Sequence, residues 1–296
     1  MRHTTGLALT AFAALAALAI AVAQGAPSAA GKRLPSKSIG SPNSGRLENG
    51  AHLETAAYLR YVGAYATGDA HYGVKSLVDA IDRAAREVRR RYPDAVLGVG
   101  HLSRKGGGEI EHHHSHESGR DGDLAFYLVD SLGRPVARDH FVAIRSDGAA
   151  ASEPKVKFDD GRNWALIAAL VSDPKAHVTH IFVATYLRTR LLAYGARVGA
   201  SPALRARVAE VLMQPHHALP HDDHFHVRIA CPAGSGECVE NPVAASSRKA
   251  ATKKSRAKPP VRKLTRARAT GRYDIEPTFT ERGHSTVRWP TPDGNE

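Results

Sequence analysis

Nine of the seventeen histidines fall in two short windows, residues 112–116 and 216–226. The first window lies in Glu111-His112-His113-His114-Ser115-His116-Glu117-Ser118-Gly119-Arg120-Asp121-Gly122-Asp123, and the second covers Leu219-Pro220-His221-Asp222-Asp223-His224-Phe225-His226-Val227. Neutral imidazole and ionised carboxylate suit zinc well as ligands. The chain has only two cysteines, which excludes a four-cysteine site, so a zinc ion here must be held by His and Asp. In a strand starting at His224, His224 and His226 share one face and Phe225 and Val227 the other. The first window supplies His116 and then Asp123, with a Gly119-containing turn flexible enough to bring both onto one ion. Three protein ligands plus an open water position mark a catalytic zinc rather than a structural one. Alone, a His run such as 112–114 is commonly a solvated loop, and adjacent acids such as Asp222 and Asp223 are commonly solvated charges. Both windows in one chain, each leading into a strand-like run, point to a shared site.

The rest of the chain must hold those windows together. At 296 residues there is ample chain for a sizeable core, and a mean hydropathy of −0.33 excludes a polytopic membrane protein. The formal charge of +12 resembles that of a nucleic-acid binder until it is located. Residues 248–272 hold eleven Lys/Arg and no acid, leaving +1 for everything else. The composition turns to Ala, Ser, Lys, Arg and Pro beyond Val243, and such a segment buries too little apolar surface to offset its ordering entropy. Residues 243–296 are therefore expected to be a basic, disordered C-terminal tail. Its charge would attract anionic envelope polymers, and the lack of stacking aromatics in 248–272 argues against specific nucleic-acid recognition.

At the other end, Arg2 and His3 precede an apolar run from Gly6 to Val22, followed by the small residues Ala23, Gly25 and Ala26. This is the pattern of a secretory signal peptide over residues 1–24, which leaves no transmembrane span once cleaved. Export brings an oxidising compartment, so Cys231 and Cys238 are expected to form a short-loop disulfide just after the second window.

Between these ends, residues 25–242 read as one domain that opens with an extended segment. Val74, Leu77, Val78, Ile81, Ala84, Ala85 and Val88 recur at helical spacing opposite Lys75, Asp79, Arg83, Arg86 and Arg90, so a helix is predicted from about Val74 to Pro93. Further helices are expected over 164–171, 187–196 and 201–213, the last opened by Ser201-Pro202. Strands are expected over 95–102, 124–129, 180–184 and 224–230. Without a regular βαβ rhythm this is an α+β fold, with a small, mainly antiparallel sheet carrying the site and helices flanking it.

The stretch from Ser115 to Asp123 resembles the Ser-His-x-x-Gly-x-Asp-x-Asp segment of the penicillin-insensitive murein endopeptidases, within the wider lysostaphin, D-Ala-D-Ala and hedgehog-like zinc peptidase group. His-Asp-Asp-His-Phe-His-Val-Arg at 221–228 is similar to that family's second motif. Ser38-Ile39-Gly40-Ser41-Pro42, Arg162-Asn163-Trp164 and Ile181-Phe182-Val183 add to a likeness covering roughly residues 36–240. The resemblance implies Zn2+ held by His116, Asp123 and His226, with His113 near the metal. It implies that His224 and His221 act in catalysis, one as base and one at the scissile carbonyl. The implied activity is periplasmic hydrolysis of D-alanyl–meso-diaminopimelyl cross-links in peptidoglycan, untouched by β-lactams because no serine nucleophile takes part. A D,D- or L,D-carboxypeptidase of the same group is the alternative, and a non-catalytic zinc-containing envelope protein is another. Two departures stand out: Arg120 and Gly122 occupy positions that are commonly apolar, so altered substrate contacts and a looser strand start are expected there.

Overall fold

The computed structural model describes residues 34–111, 113–215 and 219–240. The expected leader, His112, His216, His217 and the basic tail lie outside them. The six strands of the main sheet are β1 (Leu59–Tyr61), β2 (Leu97–Val99), β3 (Asp121–Ala125), β4 (Val178–Phe182), β5 (Leu212–Met213) and β6 (His224–Ile229). Their order is β5-β4-β6-β3-β2-β1. The pairs β4–β6, β6–β3 and β3–β2 are antiparallel, while the outer pairs β5–β4 and β2–β1 are parallel. With four helices beside it, the fold is α+β and mainly antiparallel.

The helices are α1 (Lys75–Arg91), α2 (Asp160–Val171), α3 (Thr185–Arg197) and α4 (Pro202–Val211). Every apolar residue that defined the α1 stripe is buried. Two helix starts are capped by side chains: Asp159 Oδ1 accepts from Arg162 N at 3.0 Å, and Ser201 Oγ from Leu204 N at 3.2 Å. One face of the sheet is apolar, with Phe225 and Val227 fully buried and the Phe225 ring 4.7 Å from Phe126. The other face carries the polar site.

Four expectations change. The strand predicted over 124–129 is two. β3 starts earlier, at Asp121, and Leu128–Val129 pairs in a separate three-stranded sheet. The break falls where Asn163 takes both backbone groups of Tyr127, accepting from its N–H at 2.9 Å and donating to its carbonyl at 2.8 Å. The early start was hidden because Asp121 and Asp123 are polar yet buried. Second, the opening segment is not merely extended: Lys37–Ser41 and Ser44–Glu48 form an antiparallel hairpin. Third, Gly122 does not loosen the strand. A Cβ there would meet Leu102 Cγ at 3.3 Å and Ile81 Cδ1 at 3.5 Å, so neighbours already fill the space.

Fourth, Arg120 faces away from solvent. It is fully buried and donates to the carbonyls of Ile229 (3.1 Å) and Val239 (2.8 Å) and to Glu240 Oε2 (2.9 Å). Glu240 also accepts from Cys231 N. Cys231 and Cys238 are disulfide-bonded, with Cα atoms 5.8 Å apart. That loop holds the N-terminal hairpin through Gly40 N to Glu237 O (3.0 Å) and Val239 N to Gly40 O (2.9 Å). Arg120 and the disulfide thus tie the end of β6 to the first hairpin.

Phe225 sits directly behind the polar face, between two site histidines in sequence. Phe225→Ala is expected to destabilise the fold by about 3–5 kcal/mol through loss of buried area and an unfilled cavity. Equilibrium urea unfolding checks this, and a loss below about 1 kcal/mol would place the ring outside the core.

Candidate metal centre

The register of β3 against β6 builds the site. Asp123 stands opposite His226, Asp121 opposite Arg228 and Ala125 opposite His224. Because side chains two apart share a face, Asp121, Asp123, His224, His226 and Arg228 all lie on the polar side of the sheet. His116 arrives from the loop before β3. Its φ of +76° is left-handed, sparsely populated for a residue with a Cβ. Ser103 holds it there, its Oγ donating to the His116 carbonyl and accepting from Gly119 N at 3.0 Å. The turn is therefore fixed rather than flexible. Gly119 has φ +77°, and a Cβ there would lie 2.6 Å from Leu47 Cδ1.

Hydrogen bonding at the back of each ring decides what its front presents. A carbonyl can only accept, so His116 Nδ1, 2.6 Å from Leu102 O, carries the proton and Nε2 keeps its lone pair. His226 Nε2 lies 2.8 Å from Asp121 Oδ1, which also accepts from Arg228 Nε at 2.6 Å. That leaves His226 Nδ1 facing forward. The two lone pairs converge on one carboxylate: His116 Nε2 is 3.3 Å from Asp123 Oδ2, and His226 Nδ1 is 3.2 Å from Asp123 Oδ1. Among the described residues, His116 Nε2 and Asp123 Oδ1 are buried without a hydrogen-bond partner. Acceptors pressed together out of water are stabilised by positive charge between them, whether a proton or a metal ion. Without an ion, burial opposes charge on His226, but Asp121 and Asp123 outweigh it and raise its pKa. With both rings deprotonated at the front, two imidazoles and a carboxylate form a donor set that fits a metal ion of the zinc type.

The remaining histidines ring this cluster. His224 Nε2 is 3.4 Å from Asp123 Oδ1, and its Nδ1 donates to Asp223 Oδ1 at 2.6 Å. Burial opposes charge on His224, but Asp123 and Asp223 outweigh it and push its pKa up to about 10. At Asp123 burial again opposes charge, and His116 and His224 nonetheless hold the carboxyl well below its usual range. His221 packs 5.2 Å from the His224 ring and 5.7 Å from His226, and burial with these neighbours takes its pKa down to about 4. His113 lies 3.8 Å from Asp123 Oδ2 and is pushed to about 3, first by burial and then by His116. Two sets thus have donor atoms mutually within 4.8 Å, His113/His116/Asp123 and His221/His224/His226, with Asp123 facing both.

The family described as penicillin-insensitive murein endopeptidase matches residues 38–270. The chain belongs to that family. A curated relative, the penicillin-insensitive murein endopeptidase of Haemophilus influenzae, is 28% identical over 176 residues, which are 57% of this chain and 54% of the relative. The chain thus matches about half the length of that relative. The family match reaches past the expected start of the tail, to residue 270.

All six site residues expected from the two endopeptidase motifs come together at one place in this murein endopeptidase family member. Sequence reasoning missed four others. Asp121 and Arg228 sit inside the two motifs, two residues from Asp123 and His226, but no role was read for them. His101, whose Nδ1 is 3.0 Å from His113 Nε2, comes from beyond β2. Phe182, opposite His226 on β4 with ring centroids 5.4 Å apart, closes the other side.

Asp121 fixes the His226 ring from behind. Asp121→Asn is expected to weaken zinc uptake about 10–100-fold, read by chelator competition. Unchanged affinity would remove Asp121 from the metal centre.

Proposed function

We propose that this protein is a zinc-dependent endopeptidase that hydrolyses D-alanyl–meso-diaminopimelyl cross-links of peptidoglycan in the periplasm. The observation that carries the reading is the convergence of His116 Nε2, Asp123 and His226 Nδ1, with His221 and His224 beside them. Family membership supplies the substrate class. No helix among the described residues is long and apolar enough to cross a membrane.

His116, Asp123 and His226 would hold the ion, which supplies a Lewis acid for the scissile carbonyl and lowers the pKa of water at the site. Asp121 and Arg228 keep His226 in the tautomer that offers Nδ1. His224, hydrogen-bonded to Asp223 and beside Asp123, is placed to stabilise developing negative charge or to move a proton to the leaving amine. His221 lies beside it at the same face, so that one of the two is placed to act as base and the other at the scissile carbonyl. No serine or cysteine nucleophile enters the scheme, so β-lactams have nothing to acylate.

Digestion of purified sacculi tests the scheme. Cross-linked dimers are expected to fall to monomers, to persist after chelation, and to be cleaved again on zinc add-back, with penicillin without effect. Release of terminal D-alanine alone would make the enzyme a carboxypeptidase. His224→Ala is expected to keep its zinc and lose about 10²–10⁴-fold in kcat; full activity would contradict the role given to His224.

The basic segment at 248–272, outside the described residues, would retain the enzyme on anionic wall polymer. Truncation at Ala244 is then expected to abolish a sacculus binding that weakens steeply with salt. Salt-independent binding would defeat this reading.

A further inference from the structure

One aromatic at the site belongs neither to the metal cluster nor to the hydrophobic core. Phe141 lies in the loop that runs from Val136 toward Ile144. Its neighbours Val142 and Ile144 are buried core residues, whereas Phe141 stays half-exposed. Its ring lies on the imidazole of His224, with centroids 4.6 Å apart and planes 20° from parallel. Tyr65 backs it at 4.8 Å.

The surroundings are shaped to keep the ring in that place. A Cβ at Gly100 would sit 2.5 Å from Phe141 Cζ, so the ring tip occupies the room a side chain at Gly100 would need. The loop is tied on both flanks. Asp139 O accepts from Ala64 N at 2.8 Å, and Arg138 Nε donates to Glu153 Oε1 at 2.9 Å. On the far side Ile144 N donates to Asp222 O at 2.8 Å, and Tyr186 Oη donates to Ile144 O at 2.6 Å. Asp222 is next to Asp223, the residue that accepts the hydrogen bond from His224 Nδ1. The loop bearing Phe141 and the segment bearing His221 and His224 are therefore anchored to each other.

A histidine side chain has two torsions to fix. The bond to Asp223 fixes where Nδ1 points, but a single bond leaves the ring free to tilt about it. A flat apolar face pressed on the imidazole removes the tilt. We propose that Phe141 is a positioning residue for His224: its stacked ring, seated over the bare backbone of Gly100, holds His224 Nε2 toward Asp123 and the reacting bond. This rests on the endopeptidase reading only in assigning His224 a part in the chemistry. The stacking itself is independent of it. Misplacement of such a group by about 1 Å can cost on the order of 10²-fold in rate.

The test uses the full-length zinc enzyme, a soluble cross-linked muropeptide dimer and three variants: Phe141→Ala, Gly100→Ala and the double. Gly100→Ala pushes the ring tip aside while residue 141 stays Phe, its methyl meeting Asp123 Cβ only at an ordinary 3.4 Å. Each single variant is expected to lower kcat roughly 10–100-fold with KM nearly unchanged, at wild-type zinc content. In the Phe141→Ala background, Gly100→Ala is expected to add nothing, because the ring it displaces is gone. A raised KM with unchanged kcat would overturn the proposal and make Phe141 a substrate contact. Unchanged kcat and KM would overturn it too, leaving only packing.

A second readout does not need turnover. The His224 ring protons in NMR spectra of the wild type are expected to show an upfield ring-current shift that both single variants lose. Wild-type protein that cleaves no dimer would sink the endopeptidase reading alone. The positioning of His224 would then be judged on those resonances, and their indifference to Phe141→Ala would overturn it.

Discussion

One pairing carries the site: Asp123 of β3 lies directly across from His226 of β6. A register slip of one residue would turn Asp121, Asp123, His224, His226 and Arg228 into the core and bring Gly122, Phe225 and Val227 to the surface. The apolar face makes that slip costly, since Phe225 and Val227 are fully buried against the helix-covered side. Hydrophobic packing on one face of the sheet therefore sets the geometry of the His/Asp cluster on the other. Beyond that face, the Arg120 contacts and the disulfide hold the end of β6 in place.

Burying this much charge requires compensation at every position. Asp121 receives both His226 and Arg228, while Asp123 is enclosed by four histidines. The outer nitrogen of each of the rings of His116 and His226 is committed to a backbone carbonyl or a carboxylate, which leaves the other nitrogen facing inward. Among the described residues, the buried site atoms without a hydrogen-bond partner include His116 Nε2, Asp123 Oδ1 and Asp121 Oδ2. The strained backbone of His116 fits the same picture, because strain persists where the surrounding structure overdetermines a functional geometry.

Much of this was legible in the sequence. The α1 stripe gave a helix with the right buried face, and the alternation from His224 onward gave β6 and its two faces. The resemblance to the family's two motifs implied His113, His116, Asp123, His221, His224 and His226, and the fold brings their side chains close to one another. The rest was hidden for physical reasons. β3 is a buried strand whose site face is acidic, so hydrophobic periodicity placed its start three residues late. Arg120 looked like a surface contact because a fully buried arginine is rare and its partners are carbonyls and a carboxylate more than a hundred residues away. His101 and Phe141 come from segments with no motif of their own, Phe182 stood in a matching segment without a role, and only tertiary pairing brings the three to the histidines. Asn163, which ends β3 by capping Tyr127, left no periodic trace.

The central claim is that His116, Asp123 and His226 jointly hold one ion. Anomalous diffraction at the zinc edge from zinc-loaded crystals tests it most directly. The account predicts a peak within coordination distance of His116 Nε2, an Asp123 oxygen and His226 Nδ1. A zinc-loaded crystal with no peak there, or with zinc held only by residues away from Asp123, would contradict it.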